Sequence, residues 1–152
     1  MPSSVQILVG TTTGNAQYCA EEAAAVLQEA GMDAAVTPMD GLDASVFGPG
    51  GDFLLCVSTY GQGDVPDNAR RLYESLVKEK PDLAGVRYGV VSLGDRSHAQ
   101  TFCFAGRRFD GALAKLGAIR LGEVLNHDAS SGTMPEEATR DWMAAWIDQL
   151  RA

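Results

Sequence analysis

Apolar residues along this chain fall alternately into short unbroken runs and into stretches with a helical repeat. Val5 to Val9 is the first run and reads as a buried strand closed by Gly10. From Ala16 to Ala30 an alanine-rich helix follows, with Cys19, Ala23, Val26, Leu27 and Ala30 on one face. Gly31 stands where a helix C-cap is expected. Ala34 to Thr37 predicts a second strand ending at Pro38. The Gly/Asp-rich stretch from Asp40 to Asp52 predicts at most a short turn of helix. Phe53, Leu54, Leu55, Cys56 and Val57 then run without a polar interruption to Ser58, the mark of a strand buried on both faces.

The second half repeats the theme. Asn68 to Lys80 predicts a helix, with Leu72, Leu76 and Lys80 spaced by four and Pro81 just beyond. Val86 to Leu93 is a fourth strand, and a helix from about Ala105 to Leu116 stops at Gly117. Ala118 to Leu125 predicts a fifth strand, bent at Gly122. The last helix, Pro135 to Arg151, opens with a proline and the acidic pair Glu136 and Glu137, which suits the helix dipole. Its core stripe is Trp142, Met143, Trp146, Ile147 and Leu150.

Strands alternating with helices in this way predict a doubly wound α/β fold on a parallel sheet. Five strands in 152 residues fit the order 2-1-3-4-5 better than a six-stranded dinucleotide fold. Residues 1–152 are read as one domain, since the length is too short for two well-packed ones. In such sheets ligands bind beyond the carboxyl ends of the strands, where the order reverses between strands one and three. Function is therefore expected on the loops after Val9, Ser58 and Leu93.

Composition narrows the classes. Twelve Lys and Arg against 20 Asp and Glu give a net charge of −8, which disfavours non-specific nucleic-acid or anionic-membrane binding and favours basic partners. An apolar fraction of 45% with 21% charged residues excludes disorder. Cys19, Cys56 and Cys103 form no C-x-x-C and cannot all pair, so a reducing compartment is expected. The first residues lack a basic stretch before an apolar one, and no apolar run reaches the length of a membrane span. The expected location is the cytoplasm.

The three loops carry the chemistry. Gly10-Thr11-Thr12-Thr13-Gly14-Asn15-Ala16 joins a strand to a helix N-terminus, where free N–H groups and hydroxyls suit an anion. No Lys or Arg occurs from Met1 to Leu55, so this is not a triphosphate P-loop. Neutral donors favour one terminal phosphate; N-capping is the plainer alternative. Ser58-Thr59-Tyr60-Gly61-Gln62-Gly63-Asp64 has G-x-G without a third glycine, and Tyr60 either lays its ring on a planar ligand or sits in an ordinary turn. Leu93-Gly94-Asp95-Arg96-Ser97-His98 is a third glycine-bearing loop. His98 and His127, the two histidines, have no metal-ligand spacing.

Together these segments resemble a known family. Thr11-Thr12-Thr13-Gly14-Asn15-Ala16 resembles the T-x-T-G-N phosphate loop of flavodoxins. Ser58 to Asp64 with Pro66-Asp67-Asn68-Ala69 is similar to the S-T-Y-G-x-G-D-x-P-D-N-A segment of diflavin-reductase FMN domains. Leu93 to His98, followed by Thr101-Phe102-Cys103, resembles the L-G-D-x-S-Y…F-C loop of the sulfite reductase flavoprotein and of MioC-type flavodoxins. The likeness runs the whole chain and implies a short-chain flavodoxin-like sheet with helices on both faces, carrying FMN. The chain is too short for the insertion that splits the fifth strand of long-chain flavodoxins.

The resemblance implies residue roles. Thr11, Thr12, Thr13, Gly14, Asn15 and Ala16 would hold the FMN phosphate. Ser58, Thr59, Tyr60, Gly61 and Gly63 would lie along the isoalloxazine. Leu93, Gly94, Asp95, His98, Phe102 and Cys103 would line its other side, with Asp128 closing the rim. The sequence departs from the pattern at His98, where the family has a stacking Tyr, and in a stretch before Thr101 one residue longer than usual.

The function implied is single-electron shuttling between a basic-faced reductase, of the NADPH-flavodoxin reductase type, and an acceptor. No nucleophile–base pair is visible in the loops, so no catalytic residue is expected. Two other readings are an FMN-dependent NAD(P)H quinone or nitro reductase and a flavin-free regulatory module of the same fold. A receiver domain fails for want of acidic residues at the first and third strand ends. A C-x5-R phosphatase fails because Arg107 and Arg108 fall short of the spacing from Cys103.

Overall fold

The unbroken apolar run at residues 53–57 forms the middle of the sheet. The computed structural model describes residues 4–10, 15–58, 67–94, 104–128 and 132–151. In it the run belongs to β3 (Gly51–Ser58), flanked by β1 (Ser4–Gly10) and β4 (Val86–Gly94). β2 (Asp33–Pro38) lies outside β1, and β5 (Ile119–Arg120) and β6 (Leu125–Asp128) both lie along the far side of β4. All of these pairings are parallel. Among the described residues four helices cover the sheet: α1 (Asn15–Glu29), α2 (Asp67–Glu79), α3 (Phe104–Lys115) and α4 (Pro135–Arg151). A 3-10 turn at Ala44–Phe47 is the short helical piece expected between β2 and β3.

Strand alternation divides the core in two. Val5, Ile7, Val9, Leu54, Cys56, Val91 and Leu93 pack with α1 and α4. Leu8, Phe53, Leu55, Val57, Tyr88 and Val90 pack with α2, α3 and the 3-10 turn. The predicted helix faces lie where they should: Cys19, Ala23 and Leu27 on α1, Leu72 and Leu76 on α2, and Met143, Trp146, Ile147 and Leu150 on α4 are buried. Lys80 is exposed, past the end of α2.

Polar ties fix the layers to one another. Arg87 on β4 forms a two-point ion pair with Asp52 on β3, at 2.8 and 2.9 Å, and reaches the Leu150 carbonyl near the end of α4. The Tyr88 hydroxyl donates to Asp110 of α3 at 2.6 Å, and the same carboxylate takes Arg120 of β5 at 2.6 Å. Burial first, and then that carboxylate, push the Tyr88 phenol well above its ordinary range, so it stays a donor. Arg140 of α4 bridges Glu22 and Glu29 of α1.

The fifth strand corrects the sequence reading. A single strand over Ala118–Leu125 was expected; the edge is instead two pieces, although no long insertion is present. From Tyr88 to Val91 β4 advances by three residues, while its partner chain advances by five, from Arg120 to Leu125. The two extra residues bulge out around Gly122, whose φ of +71° lies in the left-handed region. Trp142 of α4 donates to the Glu123 carbonyl at 3.0 Å and holds the bulge. Strand pairing resumes at Leu125 and continues to Asp128, past the expected end.

Two thiols lie in the α1–α4 side of the core. Burial pushes Cys19 up to about 11, a hydrogen bond with Thr139 opposes this in part, and the Glu136 charge adds to it. Burial likewise holds Cys56 well above the ordinary thiol range. At pH 8 a thiol near 11 is a thiolate about one time in a thousand. In a Cys103→Ser background, iodoacetamide at pH 8 is expected to modify Cys19 and Cys56 only after denaturant is added. Rapid modification of either in the folded protein would contradict this packing.

Candidate functional site

Register decides what meets at the carboxyl edge of the sheet. Gly10 lies opposite Val57, Ser58 opposite Leu93, and Gly94 opposite Asp128. Four strands therefore end at one level, and three of the loops singled out in the sequence leave from that level. β1 connects through α1 to β2 on one side, while β3 lies on the other. The order reverses between them, and it is at such a point that this architecture is expected to bind a ligand.

α1 begins at this edge, directly after the first loop, and its first turn carries no carboxylate. The N–H groups of that turn and the positive end of the helix dipole thus face no carboxylate from the turn itself. The Ala16 side chain is fully buried in the core, so Ala16 can offer a ligand only its backbone. Ser58 and Leu93 are buried at the ends of β3 and β4, while Gly94 and Asp128 are half-buried side by side at the rim. Asn15 is the first residue of α1. Thr11, Thr12, Thr13, Gly14, Thr59, Tyr60, Gly61, Gly63, Asp95, His98, Phe102 and Cys103 lie outside the described residues.

Two residues to which the sequence reading assigned no site role help to shape this edge. The Asn68 side-chain amide, at the start of α2, donates to the Val9 carbonyl and to Asp40, each at 3.3 Å. It joins three segments that are far apart in sequence: the end of β1, the turn after β2, and the helix after the second loop. Its signal was present in the Pro66-Asp67-Asn68-Ala69 segment, though not its role. His127 of β6 is buried, and its Nε2–H donates to the Thr133 carbonyl at 2.8 Å. That bond draws the chain beyond the last strand back toward the sheet.

The arrangement defines a class: a doubly wound parallel α/β protein with an anion-compatible helix terminus and glycine-bearing loops at its switch point. Comparison with known proteins makes this specific. The flavodoxin family model matches residues 7–142. The chain is 35% identical over 152 residues to protein MioC of Escherichia coli O157:H7, covering 98% of this chain and 99% of that one. It is 37% identical over 150 residues to flavodoxin YqcA of Pectobacterium carotovorum subsp. carotovorum, with 99% of each covered. The structure of a cysteine-to-serine mutant of the flavodoxin from Pseudomonas aeruginosa superposes with a TM-score of 0.88 at 32% identity, covering 98% of this chain and 99% of that one. The chain belongs to the flavodoxin family. Its cofactor is accordingly FMN, and its function is electron transfer.

Proposed function

We propose that FMN spans the crevice between β1 and β3, with its phosphate at the start of α1 and its ring between the second and third loops. The observation that carries this reading is the alignment of four strand ends beside a helix whose first turn holds no carboxylate. Thr11, Thr12, Thr13, Gly14, Asn15 and the Ala16 backbone hold the phosphate through neutral donors. Ser58, Thr59, Tyr60, Gly61 and Gly63 flank one side of the ring. Leu93, Gly94, Asp95, His98, Phe102 and Cys103 flank the other, and Asp128 closes the rim. The bound flavin supplies one-electron chemistry; the chain positions it, shields it from water and presents its edge to partners.

Those partners are basic-faced redox proteins met in the cytoplasm, with an NADPH-dependent flavodoxin reductase as donor. The net charge of −8 and the acidic residues of the flavin-side loops, Asp64, Asp67 and Asp95, favour such faces. Reduction of the FMN-loaded protein by such a reductase is expected to slow by about tenfold or more between low salt and ~0.5 M salt, because screening removes steering. A rate indifferent to salt would remove the acidic docking face. Steady NADPH oxidation by the FMN-loaded protein alone would favour a reductase enzyme over a carrier.

His98 is proposed to lie against the flavin in place of the family's Tyr. His98→Tyr restores a larger ring, and an aromatic pair contributes roughly 0.5–1.5 kcal/mol. FMN is therefore expected to bind about two- to tenfold more tightly in fluorescence titration. An unchanged affinity would place His98 away from the ring.

A further inference from the structure

Away from the flavin edge, α2 and α3 enclose a groove of about 570 Å³. Its floor is apolar and includes Tyr73, Leu76, Ala112 and Leu116; Val77, also lining it, is half exposed. Four cations line it, Lys80, Arg107, Arg108 and Lys115, and no carboxylate does. In a chain with 12 cations against 20 acidic residues, a groove of one positive sign is a marked segregation. The described carboxylates of these two helices, Glu74, Glu79 and Asp110, are turned elsewhere. Glu74 and Glu79 line the opposite side of α2 with Asp43, Arg70, Arg71 and Lys78, and Asp110 is held by Tyr88 and Arg120. Among the described residues Lys80, Arg107 and Lys115 form no ion pair.

We propose that this groove docks an acidic, amphipathic segment of a partner protein. Apolar side chains of that segment would cover Val77 and the floor, and its carboxylates would meet Lys80, Arg107 and Lys115. From Arg107 to Lys115 is eight residues, about 12 Å of helix, which matches roughly two turns of a docked helix. The docked segment is acidic, opposite in charge to the basic partners drawn to the flavin edge, so the site goes beyond the flavin reading and does not depend on it.

The test uses the FMN-loaded, isotope-labelled protein and a 14-residue acetylated peptide with Leu at helical spacing and Glu on the flanking positions. Its control is the same peptide with Lys in place of Glu. The acidic peptide is expected to saturate below millimolar concentration, with backbone resonance shifts confined to residues 73–80 and 107–116. Lys80→Glu/Arg107→Glu/Lys115→Glu should weaken it at least tenfold and Val77→Ser severalfold. Arg70→Glu/Arg71→Glu, on the opposite side of α2, should leave it within twofold. Flavin absorbance and the unfolding midpoint of each variant report that the fold is intact.

Equal binding of the Lys peptide, shifts centred elsewhere, or a triple variant that binds normally would each overturn the proposal. So would tighter binding of inorganic polyphosphate at the same residues, which would make the groove a polyanion site. A concentration-dependent dimer in sedimentation equilibrium that the triple variant abolishes would make the occupant a second copy of this chain, and would likewise overturn it.

Discussion

Thr11→Ala/Thr13→Ala is expected to weaken FMN about a hundredfold or more while leaving riboflavin within about twofold. The stretch from Met1 to Leu55 has no Lys or Arg, so no salt bridge from it can hold a phosphate at the start of α1. Hydroxyl and N–H donors are what that stretch offers, aided by a helix whose first turn carries no carboxylate. A hydrogen bond to a charged group contributes roughly 1.5–3 kcal/mol, and two lost together bring the effect to about 3 kcal/mol at the least. Riboflavin has the same ring and no phosphate, so it isolates the loop from the stacking side chains. Parallel titrations of both ligands decide the matter. Equal losses would mean that the threonines hold the fold or the ring and not the phosphate.

The second large effect concerns folding. α3 rests on β4 at Gly106, where a Cβ would lie 2.2 Å from the Ser92 hydroxyl oxygen and 2.4 Å from its Cβ. Ser92 is fully buried and cannot swing away. Gly106→Ala is therefore expected to destabilise the protein by about 2 kcal/mol, because overpacking of roughly 1–3 kcal/mol exceeds the helix propensity gained. Gly111, five residues along the same helix, has nothing within 4 Å of its Cβ position. Gly111→Ala should stabilise by about 0.5–1 kcal/mol. Thermal unfolding of the two variants should shift Tm in opposite directions. A shared direction would show that α3 adjusts freely over β4, and Ser92→Gly should recover part of the loss in the Gly106 variant.

Much of the fold was legible because the features that carry it are local. An unbroken apolar run such as Phe53–Val57 can satisfy both of its faces only between two layers, so it announced a central parallel strand before any partner was known. The stripe at Met143, Trp146, Ile147 and Leu150 followed from the helical period, and the acidic first turn marked where α4 begins. The candidate site was legible as three loops for the same reason. Strand-end glycines, hydroxyls and a helix start are adjacent in sequence, and a doubly wound sheet has one switch point at which to gather them.

Other features depended on residues distant in sequence. Nothing in the run from Ala118 to Leu125 distinguishes a bent strand from two strands with a bulge between them; the bulge depends on β4 register and on Trp142. Asn68 read as part of a motif, yet its work is to hold Val9 and Asp40, 59 and 28 residues away. His127 offered in sequence only a histidine without metal-ligand spacing, whereas its ring is held by the Thr133 carbonyl. The basic groove illustrates the same point through charge. Lys80, Arg107 and Lys115 are scattered through an acidic chain, and a net charge of −8 conceals them.

The sequence by itself determined the order of strands and helices, their buried faces, and the loops from which a flavin would be held. Each of these follows from periodicity and from backbone chemistry within a few residues. Only the tertiary structure decided the split of the fifth strand, the clamp at Asn68 and the single-signed groove between α2 and α3. These arise where side chains from separate segments meet, and burial, register and charge at such meetings are set by the packing of the whole sheet.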